Sequence, residues 1–232
     1  MNINISFKYF SEIFWRRIFE NQDYWQYEKE MLFKKLNELE NLRRQATYNT
    51  GSINPLASWA LYCLARFFKP KNVIEVGTFI GKSTLSIATA VETEKIAGAS
   101  IHTCDQSNDI DIPNDTDCEI IQYKKSTSLD MLKKIPFKKN SCSFIHIDGR
   151  ISKNDIELIE TLVSPDSIIV LDDFEGNEKG VANYDMLSQS KIFKQHIVAY
   201  PPGLQFAEKM NFFETCNTAV CMPAHLIKIT RQ

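Results

Sequence analysis

The stretch Val73-Ile74-Glu75-Val76-Gly77-Thr78-Phe79-Ile80-Gly81-Lys82-Ser83-Thr84 decides how this chain is read. Val73 to Val76 is β-branched and apolar apart from Glu75, which predicts a short buried strand. Gly77 and Gly81 bracket a turn, since glycine tolerates positive φ and lets another group approach the backbone closely. A helix is expected to start near Gly81 and run through Leu85, Ile87 and Ala88. Its unpaired N–H groups and positive dipole end favour an anionic group over the turn.

Working outward, strand and helix patterns alternate from Lys71 onward. Strands are expected at Val73–Val76, Ser100–Cys104, Glu119–Tyr123, Ser143–Ile147, Ser167–Leu171, His196–Tyr200 and Thr218–Met222. Helices are expected at about Gly81–Glu92, Ser128–Lys134, Asn154–Val163 and Gly180–Ser190. Such alternation implies a parallel sheet covered by helices on both faces, with ligands bound beyond the carboxyl ends of the strands. Four strands end there in an acidic or glycine turn: Glu75-Val76-Gly77, Asp105, Asp148-Gly149 and Asp172-Asp173. Together they place several carboxylates on one rim.

Upstream of the first strand, Asn54-Pro55 reads as an N-cap followed by proline at the first helical position. That helix should run through Leu56, Trp59, Ala60, Leu64 and Phe67 until Pro70 ends it. Residues 1–50 form a helical, aromatic-rich extension, and residues 51–232 the main domain. Ten of the 26 aromatics fall between Phe7 and Phe33. From Asp23 to about Ala46, Trp25, Met31, Leu32, Leu36, Leu39 and Leu42 recur near one helical face. The extension can serve as a lid, as an oligomer contact or as a packed cover.

The totals exclude several classes. Across 232 residues, 27 basic and 29 acidic side chains leave a net charge of −2, with no basic excess to attract nucleic acid or an anionic membrane. No run reaches the ~18 apolar residues of a membrane span, and the start lacks a signal-peptide pattern. Cys63, Cys104, Cys118, Cys142, Cys216 and Cys221 form no C-x-x-C pair and read as buried thiols, placing the protein in the cytoplasm.

The central stretch lacks the G-x-G-x-x-G spacing of a dinucleotide fold. A P-loop NTPase needs four residues before Gly-Lys-Ser, and here only Thr78, Phe79 and Ile80 intervene. The E-x-G-x-x-x-G pattern instead resembles motif I of the class I S-adenosylmethionine (SAM) methyltransferases. More narrowly, residues 50–222 resemble the metal-dependent O-methyltransferase branches, of catechol, macrocin and cephalosporin type.

The resemblance implies a Rossmann-like, doubly wound, seven-stranded, mostly parallel sheet in the order 3-2-1-4-5-7-6. It implies that Gly77 and Gly81 cradle the methionine part of SAM, with Glu75 beneath it and Ser83 on its carboxylate. Asp105 would accept both ribose hydroxyls, a task suited to an acceptor-only carboxylate. Thr127 and Ser128 would lie along the adenine, and Asp148 would border the cofactor. Asp148, Asp172 and Asp173 would hold Mg²⁺ or a similar hard cation. Asp148 and Asp173 would serve the chemistry, and the acceptor would be a small hydroxylated molecule or sugar. His146 recurs in that branch and reads as structural on a buried strand.

The family's base positions depart from the pattern. Where sugar-modifying members have an aspartate this chain has Arg150, and where catechol-type enzymes have a lysine it has Ile151. Lys153 or Asp155 could substitute if the loop bends, and Arg150 could clamp an acidic acceptor. The missing base also leaves open a metal-independent enzyme or a non-catalytic SAM-binding subunit.

Overall fold

The computed structural model describes residues 3–19, 25–46, 51–107, 109–209, 211–212 and 214–226. Of the extension expected over residues 1–50, residues 1–2, 20–24 and 47–50 lie outside the described residues, among them Asp23 and Tyr24 at the start of its expected second helix.

Seven strands form one sheet in the order β3-β2-β1-β4-β5-β7-β6. They are β1 (Asn72–Val76), β2 (Ser100–Asp105), β3 (Glu119–Lys124), β4 (Cys142–Ile147), β5 (Val163–Leu171), β6 (His196–Ala199) and β7 (Ala219–Pro223). The first five run parallel, whereas β7 lies antiparallel to both β5 and β6. The mostly parallel sheet and its coverage on both faces are as the strand–helix alternation predicts, and the strand order is the one the family resemblance implies.

The α-helices are α1 (Ile3–Phe19), α2 (Trp25–Glu38), α3 (Pro55–Phe68), α4 (Lys82–Thr93), α5 (Ser128–Lys134), α6 (Lys153–Leu162), α7 (Lys179–Leu187) and α8 (Leu204–Lys209). The continuous helix expected up to Ala46 instead tightens into a 3-10 segment at Leu39–Gln45. Strand β5 begins at Val163, earlier than Ser167, and its pairing with β4 is irregular between Cys142 and Phe144. Asp166 and Pro165 in its first half are exposed, so polarity hid that half from a reading based on apolar runs.

Alternation along the strands splits the core in two. Val73, Phe144, Ile168 and Val170 pack on the side of α1 to α4, while Ile74, Ile145, Ile147, Ile169 and Leu171 pack on that of α5 to α7. Helix α3 is the spine of the first side. Its start is as the sequence predicts: Asn54 Oδ1 accepts from the Ala57 N–H at 2.8 Å, and proline follows. Leu56 to Ala65 are all buried because the sheet lies on one side and the N-terminal helices on the other. Phe14 and Trp15 of α1 are fully buried. The indole N–H of Trp15 donates to the Tyr200 carbonyl at 2.6 Å, and the Tyr200 N–H to Ser11 Oγ at 3.0 Å. These aromatics are therefore satisfied within one chain.

Candidate active site

The glycine turn is built by its neighbours. The Gly77 and Thr78 N–H groups donate to the Cys104 carbonyl at 3.0 and 3.2 Å, tying the turn to β2. Gly77 has φ 102°, and a Cβ there would sit 3.0 Å from the Asp148 carbonyl carbon and the Gly149 nitrogen. Only glycine therefore lets the β1 turn lie flat against the end of β4. The Asp148 and Gly149 N–H groups both donate to the Val76 carbonyl at 2.8 Å, which locks the contact.

Glu75 lies fully buried beneath the turn. Oε2 accepts from Thr103 Oγ1 at 2.7 Å and from Thr84 Oγ1, and Oε1 faces His146 Nδ1 at 3.0 Å. Burial alone would push the Glu75 carboxyl up, but His146 and the two hydroxyls outweigh it and hold it below the ordinary value. The same pairing overcomes the effect of burial on His146 and raises its pKa. Glu75 thus braces the turn through side chains, with His146 buried beside it on β4.

Asp105 closes β2. Its Oδ2 accepts from the Phe79 N–H and its Oδ1 from the Ser107 N–H, each at 2.8 Å, so both carboxylate oxygens are aimed and held. Gly81 caps α4 in the left-handed region and Ser83 lies buried in the helix's first turn. Thr127 caps α5 by accepting from the Asp130 N–H, and Ser128 begins that helix. Lys82 is spent on Glu40 of the 3-10 segment, away from a phosphate-loop role. Arg43 of the same segment lies over the Phe79 ring at 5.3 Å.

The second half of the site lies across the Gly77 contact. A cavity of about 190 Å³ is lined by Gly51 to Asn54, Ala57, Asp148, Asp172, Asp173, Lys179 and Asn217. The sequence singled out the three aspartates, whereas Lys179 and the Gly51–Asn54 loop escaped it. Lys179 Nζ sits 2.8 Å from Asp148 Oδ1 and 2.9 Å from Asp173 Oδ2. Asp172 Oδ1 accepts from Thr218 Oγ1 at 2.9 Å. Burial, then the charge of Asp172, raises the Asp148 carboxyl to about 6 against the pull of Lys179 and His146. Burial raises Asp172 as well. It would lower Lys179, but Asp148 and Asp173 outweigh it and the ammonium is retained.

This arrangement does not fit the expected divalent cation. Asp148 and Asp173 already share an internal ammonium, and Asp172 is turned toward Thr218. Among the described residues, no group of three or more His, Cys, Asp or Glu is arranged to hold a metal ion.

The substitute bases also fall away. Asp155 forms a capping box with Ser152 at the start of α6 and is buried there. Ile151 is buried, and its N–H donates to Asn183 Oδ1 at 3.2 Å, while Asn183 Nδ2 donates to the Gly149 carbonyl at 2.8 Å. These bonds fix the loop after β4 against α7. Arg150 and Lys153 are exposed and line no part of the cavity, so the acidic-acceptor clamp has no support there. A signal for Lys179 did exist: a lysine at the first position of a helix opposes the helix dipole unless an acidic partner holds it.

Comparison with known proteins agrees with this fold. A family model described as a methyltransferase domain matches residues 74–174. No curated protein matches the chain. Among solved structures, an O-methyltransferase from Bacillus cereus in complex with SAH is similar, with a TM-score of 0.57 at 17% identity over 81% of this chain and 89% of that one. The O-methyltransferase TomG from Streptomyces achromogenes, involved in tomaymycin synthesis and in complex with SAM, gives 0.54 at 14% over 82% and 90%. A methyltransferase from Geobacter sulfurreducens gives 0.54 at 13% over 82% and 89%. Motif, strand order and comparison converge: residues 74–174 match a methyltransferase domain, and the chain has the Rossmann-like fold of the O-methyltransferases it is similar to.

Proposed function

We propose that this protein transfers the methyl group of SAM to a hydroxyl oxygen of a small molecule. The observation that carries the reading is the contact of Gly77 with Asp148-Gly149. It sets a cofactor-type turn and a polar, carboxylate-lined cavity edge to edge on the carboxyl side of one sheet.

In this reading Gly77, Gly81 and Ser83 receive the methionine end of SAM at the start of α4. Asp105 takes the ribose hydroxyls, and Thr127 and Ser128 border the adenine. Glu75 acts from below by fixing Thr84, Thr103 and His146. The acceptor oxygen enters the cavity beside Asp148 and Asp173. Its lone pair forms the new O–C bond as the S–C bond breaks toward sulfur. The products are the methyl ether and S-adenosylhomocysteine, and the hydroxyl proton leaves to a rim carboxylate or to water. Alignment of oxygen, methyl carbon and sulfur supplies most of the acceleration. No step is routed through a divalent cation, because Lys179 occupies the carboxylates that would bind it.

Helices α1 and α2 and the 3-10 segment act as a cover over α3 and the glycine turn, through Glu40, Arg43 and the buried aromatics Phe14 and Trp15. A pairing of two copies through this extension would draw on the exposed Tyr27 and Met31 of α2. Six buried, free thiols are compatible with the reducing cytoplasm. No described helix is long and apolar enough to cross a membrane.

Calorimetric titration with S-adenosylhomocysteine tests the cofactor assignment. Micromolar binding is expected, with none for ATP–Mg²⁺. Absence of the first together with presence of the second would overturn the reading.

A further inference from the structure

The carboxylate rim is closed from within. Lys179 is the first residue of α7, and its position is fixed by the residue after it. A Cβ on Gly180 would lie 2.1 Å from the Asp172 carbonyl oxygen and 2.8 Å from the Asp173 carbonyl. Only glycine lets the start of α7 press onto the turn after β5. That contact delivers the Lys179 side chain across the rim to Asp148 at the end of β4. The ammonium has three N–H donors. Two are directed to Asp148 Oδ1 and Asp173 Oδ2, which leaves a third for a ligand in the cavity those residues line.

We propose that Lys179 takes the place of a divalent cation at the acceptor end of this site, and that its ammonium is the positive charge against which the acceptor oxygen docks. The inference rests on the methyltransferase reading above. It also narrows the acceptor. A divalent cation with two open positions can chelate two neighbouring oxygens of its ligand. An ammonium is a compact point charge that holds one. The acceptor class is therefore a molecule with a single reactive hydroxyl or phenolate, with no requirement for a vicinal diol. The cavity of about 190 Å³ is smaller than common ligand pockets of roughly 300–1,000 Å³, so it admits the reacting end of such a molecule.

The test uses the full chain as wild type, K179A and K179Q, with Mn²⁺ as probe. Binding of Mn²⁺ is followed by loss of the free-ion paramagnetic signal, and SAH binding is measured separately by calorimetry with and without EDTA. Two neutral substitutions are used so that one surviving fold suffices, with melting temperature as the check. Wild type is expected to show no saturable Mn²⁺ binding. Removing the ammonium leaves its carboxylates unpaired, so at least one variant should bind Mn²⁺ at least ~10-fold more tightly. SAH binding should be the same in wild type with and without EDTA. Saturable Mn²⁺ binding by wild type would overturn the proposal, since the lysine would then yield to the metal. So would failure of both folded variants to gain Mn²⁺, since the carboxylates would then be no cation site. Absence of SAH binding strikes the methyltransferase reading instead, and the two failures are read on different instruments.

Discussion

At the scale of single residues, the site is held by groups whose oxygens are already committed. Asp105 is the clearest case, since two backbone N–H groups aim it before any ligand arrives. Asp105→Ala should weaken S-adenosylhomocysteine binding by roughly 1–3 kcal/mol, the cost of losing hydrogen bonds to a charged acceptor. Calorimetry on the folded variant decides it, and unchanged affinity would remove the ribose assignment. Gly180→Ala should cost about 1–3 kcal/mol by overpacking the turn after β5. Urea unfolding at neutral pH measures it, and a neutral result would mean that α7 can retreat from Asp172.

His102 makes a separate, pH-dependent contribution. It is buried beside Phe137, with Nδ1 3.0 Å from the Tyr123 hydroxyl, and burial lowers its pKa from 6.5 to about 4. Between those values the unfolded chain takes a proton that the folded chain refuses. Stability is therefore full above pH ~6.5 and falls as the pH drops toward ~4, by up to about 3 kcal/mol. The difference in unfolding free energy between pH 7.5 and 4.5 should shrink in His102→Gln. An equal loss in the variant would show that other groups carry the slope.

At the scale of elements, α3 and its cap organise the approach to β1. Asn54 uses its side chain twice, accepting from Ala57 and donating from Nδ2 to the Thr215 carbonyl at 2.7 Å. Asn54→Ala should destabilise by about 1–2 kcal/mol, more than Asn54→Asp, which keeps the cap acceptor. Equal losses would mean that the cap contributes little. This element was legible in the sequence because Asn-Pro before an apolar run has one local reading. The 3-10 turn at Leu39–Gln45 was not, because its 3.6-residue apolar pattern continues smoothly past Glu38. Tertiary contacts alone set that boundary: Glu40 reaches Lys82, and Arg43 reaches Phe79 and Ser52.

Across the whole molecule, the N-terminal helices complete one side of the core. Phe14, Trp15, Leu32 and Leu36 pack in the same cluster as Trp59, Val73 and Val170. Trp15→Ala should cost about 3–5 kcal/mol, with loss of the bond to Tyr200 included. Thermal unfolding that shifts only slightly would make the extension a loosely attached lid instead.

The sequence by itself determined the alternation of strands and helices, the glycine turn and the carboxylates that end β2, β4 and β5, while the strand order came only with the family resemblance. Those features are local: strand alternation, turn residues and strand-end acids sit within a few residues of one another and need no partner to be read. What only the tertiary structure decided is how the acids are used. Glu75 turns inward to His146, Asp155 is taken by a helix cap, and Asp148 and Asp173 share Lys179. Each of those partners is chosen by packing between elements distant in sequence, and a carboxylate's chemistry follows from what lies within hydrogen-bond reach of it.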